Sequence, residues 1–374
     1  MNKILSLALR LMWVSVWLTG CSSEATPVQI PSSQSATSTI QAATLTPSPT
    51  STPIPTVSST PQLLPISAEA SAYLNAALDI MQENSLYRES IDWASLRKSV
   101  LESAQHAQTP EDTYGAIRYA LVRLGDHHSF FMTPSESTQR GKLTTNDSPP
   151  PRGKFLLEKI GFIAIEGFRA FEGADYATTV QGLIRDIDAQ HPCGWIVDLR
   201  ENTGGNMGPM LAGIGPILGE GEMGAFIDSY GNKQIWSYQD GQAMVDGEPI
   251  EHVNGPAYQL KESSPPVAVL TGVNTASSGE IVAISFRGRP NTRSFGLYTA
   301  GLSTGNLGFP LSDGAVIVLT IVVDADRTGQ TYGNRIYPDE IVEDVRKFTM
   351  LMDEAIPQPA IDWLMSQPAC RGSK

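Results

Sequence analysis

The stretch Pro266-Val267-Ala268-Val269-Leu270-Thr271-Gly272-Val273-Asn274-Thr275-Ala276-Ser277-Ser278-Gly279-Glu280 runs straight from a buried strand into a helix. Pro266 to Leu270 is short and apolar, as a strand covered on both faces must be. The hydroxyl-rich segment from Asn274 to Glu280 then opens a helix that apolar spacing carries from about Ser278 to Phe286. A serine at such a turn is held rigidly, with its hydroxyl near the positive end of the helix. The N–H of the next residue is unpaired, because the first turn of a helix has no internal acceptors for its donors. A nucleophile and an oxyanion donor can therefore occupy adjacent residues. Taken alone, the segment is better explained by ordinary helix capping.

Outward from this stretch, the same unit repeats. Trp195 to Leu199 is another short buried strand, overlapping Asp198-Leu199-Arg200-Glu201-Asn202-Thr203-Gly204-Gly205-Asn206 and leading to an apolar helix from Met207. A Gly pair after a buried strand lets the backbone turn its N–H groups towards a ligand, which suits a second oxyanion donor. It equally suits a tight turn, with Asp198 and Arg200 as a structural ion pair. Ile160 to Ile165 and Ala315 to Val322 read as strands, and Tyr176 to Ile187 as a helix. This alternation predicts an α/β domain with a mostly parallel sheet over residues 153–350.

Upstream, residues 67–138 read as a helical subdomain. Ala70, Tyr73, Leu74, Ala77, Leu78 and Met81 recur at helical spacing. Thr109-Pro110-Glu111-Asp112 starts a second helix, lined by Tyr114, Ile117, Leu121 and Leu124 and stopped at Gly125. The polar, Pro-containing stretch 139–152 is a boundary. Just past the helix stop lies Gly125-Asp126-His127-His128-Ser129. The chain has only 5 His, and two of them stand here beside an Asp. His is the usual general base near neutral pH. No metal is expected, since His-x-x-x-His spacing and a carboxylate cluster are absent. Without partners the segment is merely a polar loop.

Composition narrows the function classes. The chain has 374 residues, 41% of them hydrophobic, which is ample for a core. A net charge of -13 argues against a nucleic-acid binder, which needs a basic face. The 3 Cys include no Cys-x-x-Cys pair, so neither a thiolate zinc site nor a thioredoxin-like motif is expected.

The first twenty residues read as an export signal. Lys3 and Arg10 precede a short apolar run from Leu11 to Leu18. That run falls short of the roughly 20 apolar residues a bilayer span needs. It ends Leu18-Thr19-Gly20-Cys21, which resembles a bacterial lipobox and implies a lipid on the Cys21 thiol after cleavage of residues 1–20. Residues 21–66 are dominated by Ser, Thr and Pro, with Glu24 as the only charge. Such a segment cannot offset its chain entropy by burial and reads as an extended tether. The expected location is the extracytoplasmic face of a bacterial membrane, with the lipid as the membrane contact.

Taken together, the three chemistry-bearing segments resemble the tail-specific, or C-terminal processing, serine peptidases. The match is best to the branch that includes the nisin resistance protein and tricorn-like cores. It rests on Thr275-Ala276-Ser277-Ser278-Gly279-Glu280, on Asp198 to Asn206, and on Leu124-Gly125-Asp126-His127-His128-Ser129, and it spans roughly residues 68–345. The resemblance implies a crotonase-like core with a peptide or protein substrate and no cofactor. It implies Ser277 as nucleophile, His128 as base and His127 at a variable position. Oxyanion donors would come from the Ser278 N–H and from the turn at Gly204, Gly205 and Asn206. Processing proteases with a Ser/Lys dyad carry Lys in a turn that here reads Tyr298-Thr299-Ala300-Gly301-Leu302-Ser303-Thr304, with Leu302 at the Lys position. Leu accepts no proton, so the base falls to His128. The interval from the His motif to Ile160 is too short for a PDZ domain. The orienting group for His128 stays open, with Glu280, Asp339 and Glu340 as candidates and Asp126 too near in sequence to assume. Loss of activity on a retained fold, leaving a peptide-binding lipoprotein, is the alternative.

With Cys21 assigned to lipid, Cys193 and Cys370 form an even pair in a compartment where a disulfide persists. The bridge would pin the C-terminal tail, residues 351–374, beside the central sheet.

Overall fold

The computed structural model describes residues 64–372. The export signal, Cys21 and nearly all of the tether lie outside the described residues.

The helical part follows its apolar spacing. It comprises α1 (Ala68–Asn84), α2 (Trp93–Ser103) and α3 (Tyr114–Leu124). The Ser67 hydroxyl caps α1, and Gly125 stops α3 in the left-handed conformation with φ 79°. Leu74, Leu78, Ile117 and Leu121 form one buried face, packed with Ile317 and Leu319. The chain continues through β1 (Phe130–Met132), α4 (Pro134–Arg140), β2 (Arg152–Leu156), β3 (Ile160–Ala164) and α5 (Ala174–Asp188). Then come β4 (Gly194–Asp198), α6 (Met207–Leu218), β5 (Gly221–Asp228), β6 (Lys233–Gln239), β7 (Gln242–Val245) and β8 (Glu248–His252). The hydroxyl-rich turn lies between β9 (Val267–Thr271) and α7 (Ser278–Ser285), followed by β10 (Thr292–Gly296), β11 (Thr304–Pro310), β12 (Val316–Asp326) and β13 (Glu340–Ile341). The described chain ends with β14 (Phe348–Leu351), β15 (Glu354–Pro357), α8 (Gln358–Ser366) and α9 (Pro368–Arg371).

Two large sheets carry the fold. The six-stranded sheet has the order β13-β10-β9-β4-β3-β2 and is parallel except at β2/β3. The seven-stranded sheet runs β1-β12-β5-β6-β7-β8, with β11 also on β12, and every pairing in it is antiparallel. The expectation of a single mostly parallel sheet is thus corrected: parallel pairing is confined to the smaller, mixed sheet. The overlooked strands are hairpins. Asp240-Gly241 and Asp246-Gly247 are two-residue turns with all four φ angles positive, the backbone that joins tightly twisted antiparallel strands.

Alternation along the strands of the mixed sheet divides the core. Trp195, Val197, Val267 and Val269 face α5, α6 and α7, together with Trp236 and Tyr238 of the antiparallel sheet. Ile196, Ala268 and Leu270 face the other way, onto Ile356, Ala360, Ile361 and Leu364. The C-terminal segment is therefore more than a tail: the short apolar helix that the sequence places around Ile361 to Met365 forms as α8, and with the β14/β15 hairpin it covers one sheet face. Cys370 is disulfide-bonded to Cys193, with the Cα atoms 4.9 Å apart.

Candidate active site

The C-terminal ends of β4 and β9 bring the two Gly- and Ser-rich turns together, where parallel strands usually expose their ligand sites. Ser277 occupies the N-cap position of α7 with φ 53° and ψ -122°. A positive φ at a non-Gly residue is strained and persists only where surrounding contacts impose it. Those contacts are visible. The Ser277 N–H donates to the Glu280 carboxylate at 2.9 Å, and the Ala276 N–H donates to Asn202 O at 2.9 Å. The Ser278 hydroxyl donates to Gly205 O at 2.7 Å, tying the two turns to each other.

Gly204 has φ +88°, and a Cβ there would lie 2.7 Å from Ala276 O and 2.9 Å from the Ser277 Cβ. No side chain fits between this turn and the serine. The Gly204 N–H donates to Asn202 Oδ1 at 3.0 Å, and the Asn206 N–H donates to Phe168 O at 2.7 Å. Asn206 Oδ1 caps α6 through Gly208 N–H at 3.0 Å. Of the four residues expected to supply oxyanion donors, Gly204 and Asn206 thus have their N–H groups engaged elsewhere. Those of Gly205 and Ser278 have no hydrogen-bond partner among the described residues. Asp198 and Arg200 form the ion pair that the sequence left as an alternative, at 2.6 Å.

His128 reaches this turn from the loop after α3. Its Nε2 lies 3.1 Å from Ser277 Oγ, although the residues are 149 positions apart. The ring is held from behind by Thr304, whose Oγ1 lies 2.7 Å from Nδ1. Thr304 is thus the orienting group that sequence reading left open, and none of the acidic candidates takes that place. Asp126 instead shapes the backbone, accepting the N–H groups of His128 at 2.9 Å and Ser129 at 2.7 Å. Asp339 accepts the Ser294 N–H and hydroxyl, and Glu340 pairs with Arg293. The His128 C=O accepts Asn306 Nδ2 at 3.0 Å, and the Thr320 hydroxyl donates to Asn306 Oδ1 at 2.9 Å. His127 is exposed, with φ 58°.

Burial pushes the His128 pKa down to about 4, against a smaller upward pull from Asp126. The imidazole is therefore neutral at ordinary pH. Glu280 serves the Ser277 turn and its neighbour together. Besides Ser277, its carboxylate accepts the Thr299 hydroxyl at 2.5 Å and the N–H groups of Gly301 at 3.1 Å and Leu302 at 2.7 Å. Burial raises the Glu280 pKa, and these hydrogen bonds oppose the rise. Leu302, at the position of a dyad lysine, is held by its backbone alone in this network.

Residues 159–342 match the model of Peptidase family S41, so the chain carries a domain of that family. It is 28% identical to the nisin-resistance protein of Lactococcus lactis subsp. lactis over 298 residues, spanning 79% of this chain and 87% of that protein. Among solved structures, it is similar to a lipoprotein from Streptococcus agalactiae, with 27% identity and a TM-score of 0.65 over 80% of this chain and 97% of that one. The photosystem II D1 C-terminal processing protease shares the fold at 15% identity, with a TM-score of 0.55 over 74% of this chain and 94% of that one.

Proposed function

We propose that this protein is a serine peptidase that hydrolyses peptide bonds through an acyl-enzyme on Ser277. The observation that carries the reading is the 3.1 Å contact between Ser277 Oγ and His128 Nε2. For Nε2 to accept a proton, Nδ1 must carry one, and Thr304 Oγ1 is placed to accept it. Neutral His128 takes the Ser277 hydroxyl proton as Oγ attacks the substrate carbonyl. The oxyanion is received by the N–H groups of Ser278 and Gly205. One such donor is worth about 2.7–4 kcal/mol of transition-state stabilisation. His128 then protonates the leaving amine, and a water activated by the same nitrogen releases the acyl group.

The peptidase is further proposed to act on the outer face of a bacterial membrane, held by lipid on Cys21 and spaced by the 21–66 tether. The lipobox-like ending of the export signal and the likeness to a streptococcal lipoprotein support this placement. No helix among the described residues is long and apolar enough to cross a membrane. The membrane contact would then fall to the lipid. Cys21→Ser should release the protein from the membrane fraction, and unchanged retention would count against the anchor.

A fluorophosphonate probe tests the catalytic reading. Labelling of the wild-type protein should vanish in Ser277→Ala and in His128→Ala. A folded protein that takes up no probe and cleaves no peptide would instead be the binding module.

A further inference from the structure

The strand that carries Thr304 has one paired edge and one open edge. Among the described strands, β11 pairs only with β12. Which of its backbone groups face outward follows from its partner. Asn306 lies opposite Thr320. The Thr320 N–H donates to Ser129 Oγ at 2.9 Å, and the Thr320 C=O accepts the Leu86 N–H at 2.9 Å. Both groups point away from β11, so this is a non-hydrogen-bonded pair of the antiparallel ladder. The Asn306 N–H and C=O must then point away from β12. Alternation turns Gly308 the same way, and Gly308 is exposed. On the other side, the Asp324 N–H donates to Ser303 O at 3.2 Å, which by the same rule turns Thr304 outward. The outward groups of Thr304, Asn306 and Gly308 have no backbone partner among the described residues. The next position in the alternation is Pro310, which has no N–H to offer and ends the open ladder.

An open ladder invites another strand, and proteins usually blunt such edges with charge or cover. This one, Thr304-Gly305-Asn306-Leu307-Gly308-Phe309-Pro310, has no charged residue. It begins at the residue whose hydroxyl holds the catalytic imidazole. We propose that the open edge of β11 docks the peptide substrate, which adds to the seven-stranded sheet as an extended strand and so brings its scissile carbonyl to Ser277. This inference rests on the peptidase reading. Main-chain hydrogen bonds of this kind read the backbone and not the side chains. The enzyme should therefore accept varied side chains along this stretch. It should reject a substrate that lacks N–H groups at alternate positions.

The test uses a pool of quenched-fluorescent decapeptides, with p-nitrophenyl acetate as a substrate that has no backbone to pair. Gly308→Pro removes an outward N–H and no ladder bond. It should lower the ratio of peptide to ester turnover about tenfold, the scale of one lost backbone hydrogen bond. An unchanged ratio in a normally folded variant overturns the proposal. A second measurement leaves the protein unaltered: a cleaved peptide is re-synthesised with one N-methyl group at each position in turn. Losses at every second position support the added strand, and uniform or absent losses overturn it. If the wild-type protein cleaves the ester but no peptide in the pool, the peptidase reading itself falls, and this proposal with it. If peptides are cleaved while both series stay flat, only the added strand is lost.

Discussion

The proposed nucleophile and the proposed base of this site are held in opposite ways. Ser277 stands on a turn between a buried parallel strand and a helix, and nearly every contact that fixes it is backbone or lies close by in sequence. Glu280 is three residues away, and the Gly204 turn belongs to the neighbouring strand of the same sheet. His128 sits on a short loop of the helical part, where Asp126 holds its backbone N–H, but its ring and its carbonyl are fixed by side chains of one distant strand, β11: Thr304 on the ring and Asn306 on the carbonyl. The nucleophile is thus built into the architecture, while the base is delivered to it by a chain of hydroxyl and amide contacts. Two consequences follow. The serine turn should tolerate few changes of any kind. The histidine should be tunable through residues that never touch substrate.

The largest effects should come from the pair itself. Ser277→Ala and His128→Ala should each lower kcat/KM by up to about a million-fold, with melting unchanged, since such groups act as a unit. His127→Ala should stay within roughly twofold, as expected of an exposed surface change. Equal losses at both histidines would erase the contrast between an aimed and a free imidazole.

Thr304→Val should come next. It removes the acceptor on Nδ1 while nearly keeping the volume. A loss of about 10–100-fold in kcat with little change in KM is expected, less than the roughly 100–10,000-fold that a whole general base contributes. Equal kcat in this variant would show that the ring is held by packing alone.

A pH profile sharpens the same point. As the proposed base, His128 would act only when neutral, and burial lowers its pKa to about 4. The acid limb of kcat/KM should therefore fall near that pH and not in the ordinary imidazole range. Stability has a matching sign. Between about pH 6.5 and pH 4 the unfolded chain binds a proton that folded His128 refuses. The stabilising contribution of this group is present above that window and is lost as pH falls through it. An acid limb at the normal imidazole value would mean that water reaches the ring in solution.

The smallest effect belongs to Asn306→Ala. The Asn306 side chain donates to the His128 carbonyl and accepts the Thr320 hydroxyl. A fall of about threefold to tenfold is expected, the worth of about one hydrogen bond. A larger loss than in Thr304→Val would place the control of the base in its backbone.

The same contrast explains what the sequence disclosed. The serine turn was legible because its signals are local: an apolar run, a Gly pair, a hydroxyl-rich helix start. Two of the three helices of the N-terminal part, α1 and α3, were legible from spacing, down to the stop of α3 at Gly125. Thr304 was not, because a threonine at the head of a strand carries no local mark of its partner, and only the meeting of two sheets puts it behind His128. The absent lysine at Leu302 gave the one hint that the base must come from elsewhere. The antiparallel sheet was missed for another reason. β6 to β8 alternate weakly and are half exposed, so period-based reading passed over them, although the Asp240-Gly241 and Asp246-Gly247 pairs mark their turns.

The Cys193–Cys370 bond divides the chain covalently into a ring and an arm. The ring closes over a separation of 177 residues and contains Gly205, Ser277, Glu280, Thr304 and Asn306. His128 lies on the arm that precedes it. In a chain that has lost its fold but kept its disulfide, the nucleophile, its Gly turn and the residues that receive the histidine remain within one loop. The chain-entropy model gives closure of such a loop about 5 kcal/mol. The arm gains nothing from it. His128 is thus the one member of the site that the covalent ring does not hold, and it depends on the packing of the helical part against β12 to stay in place.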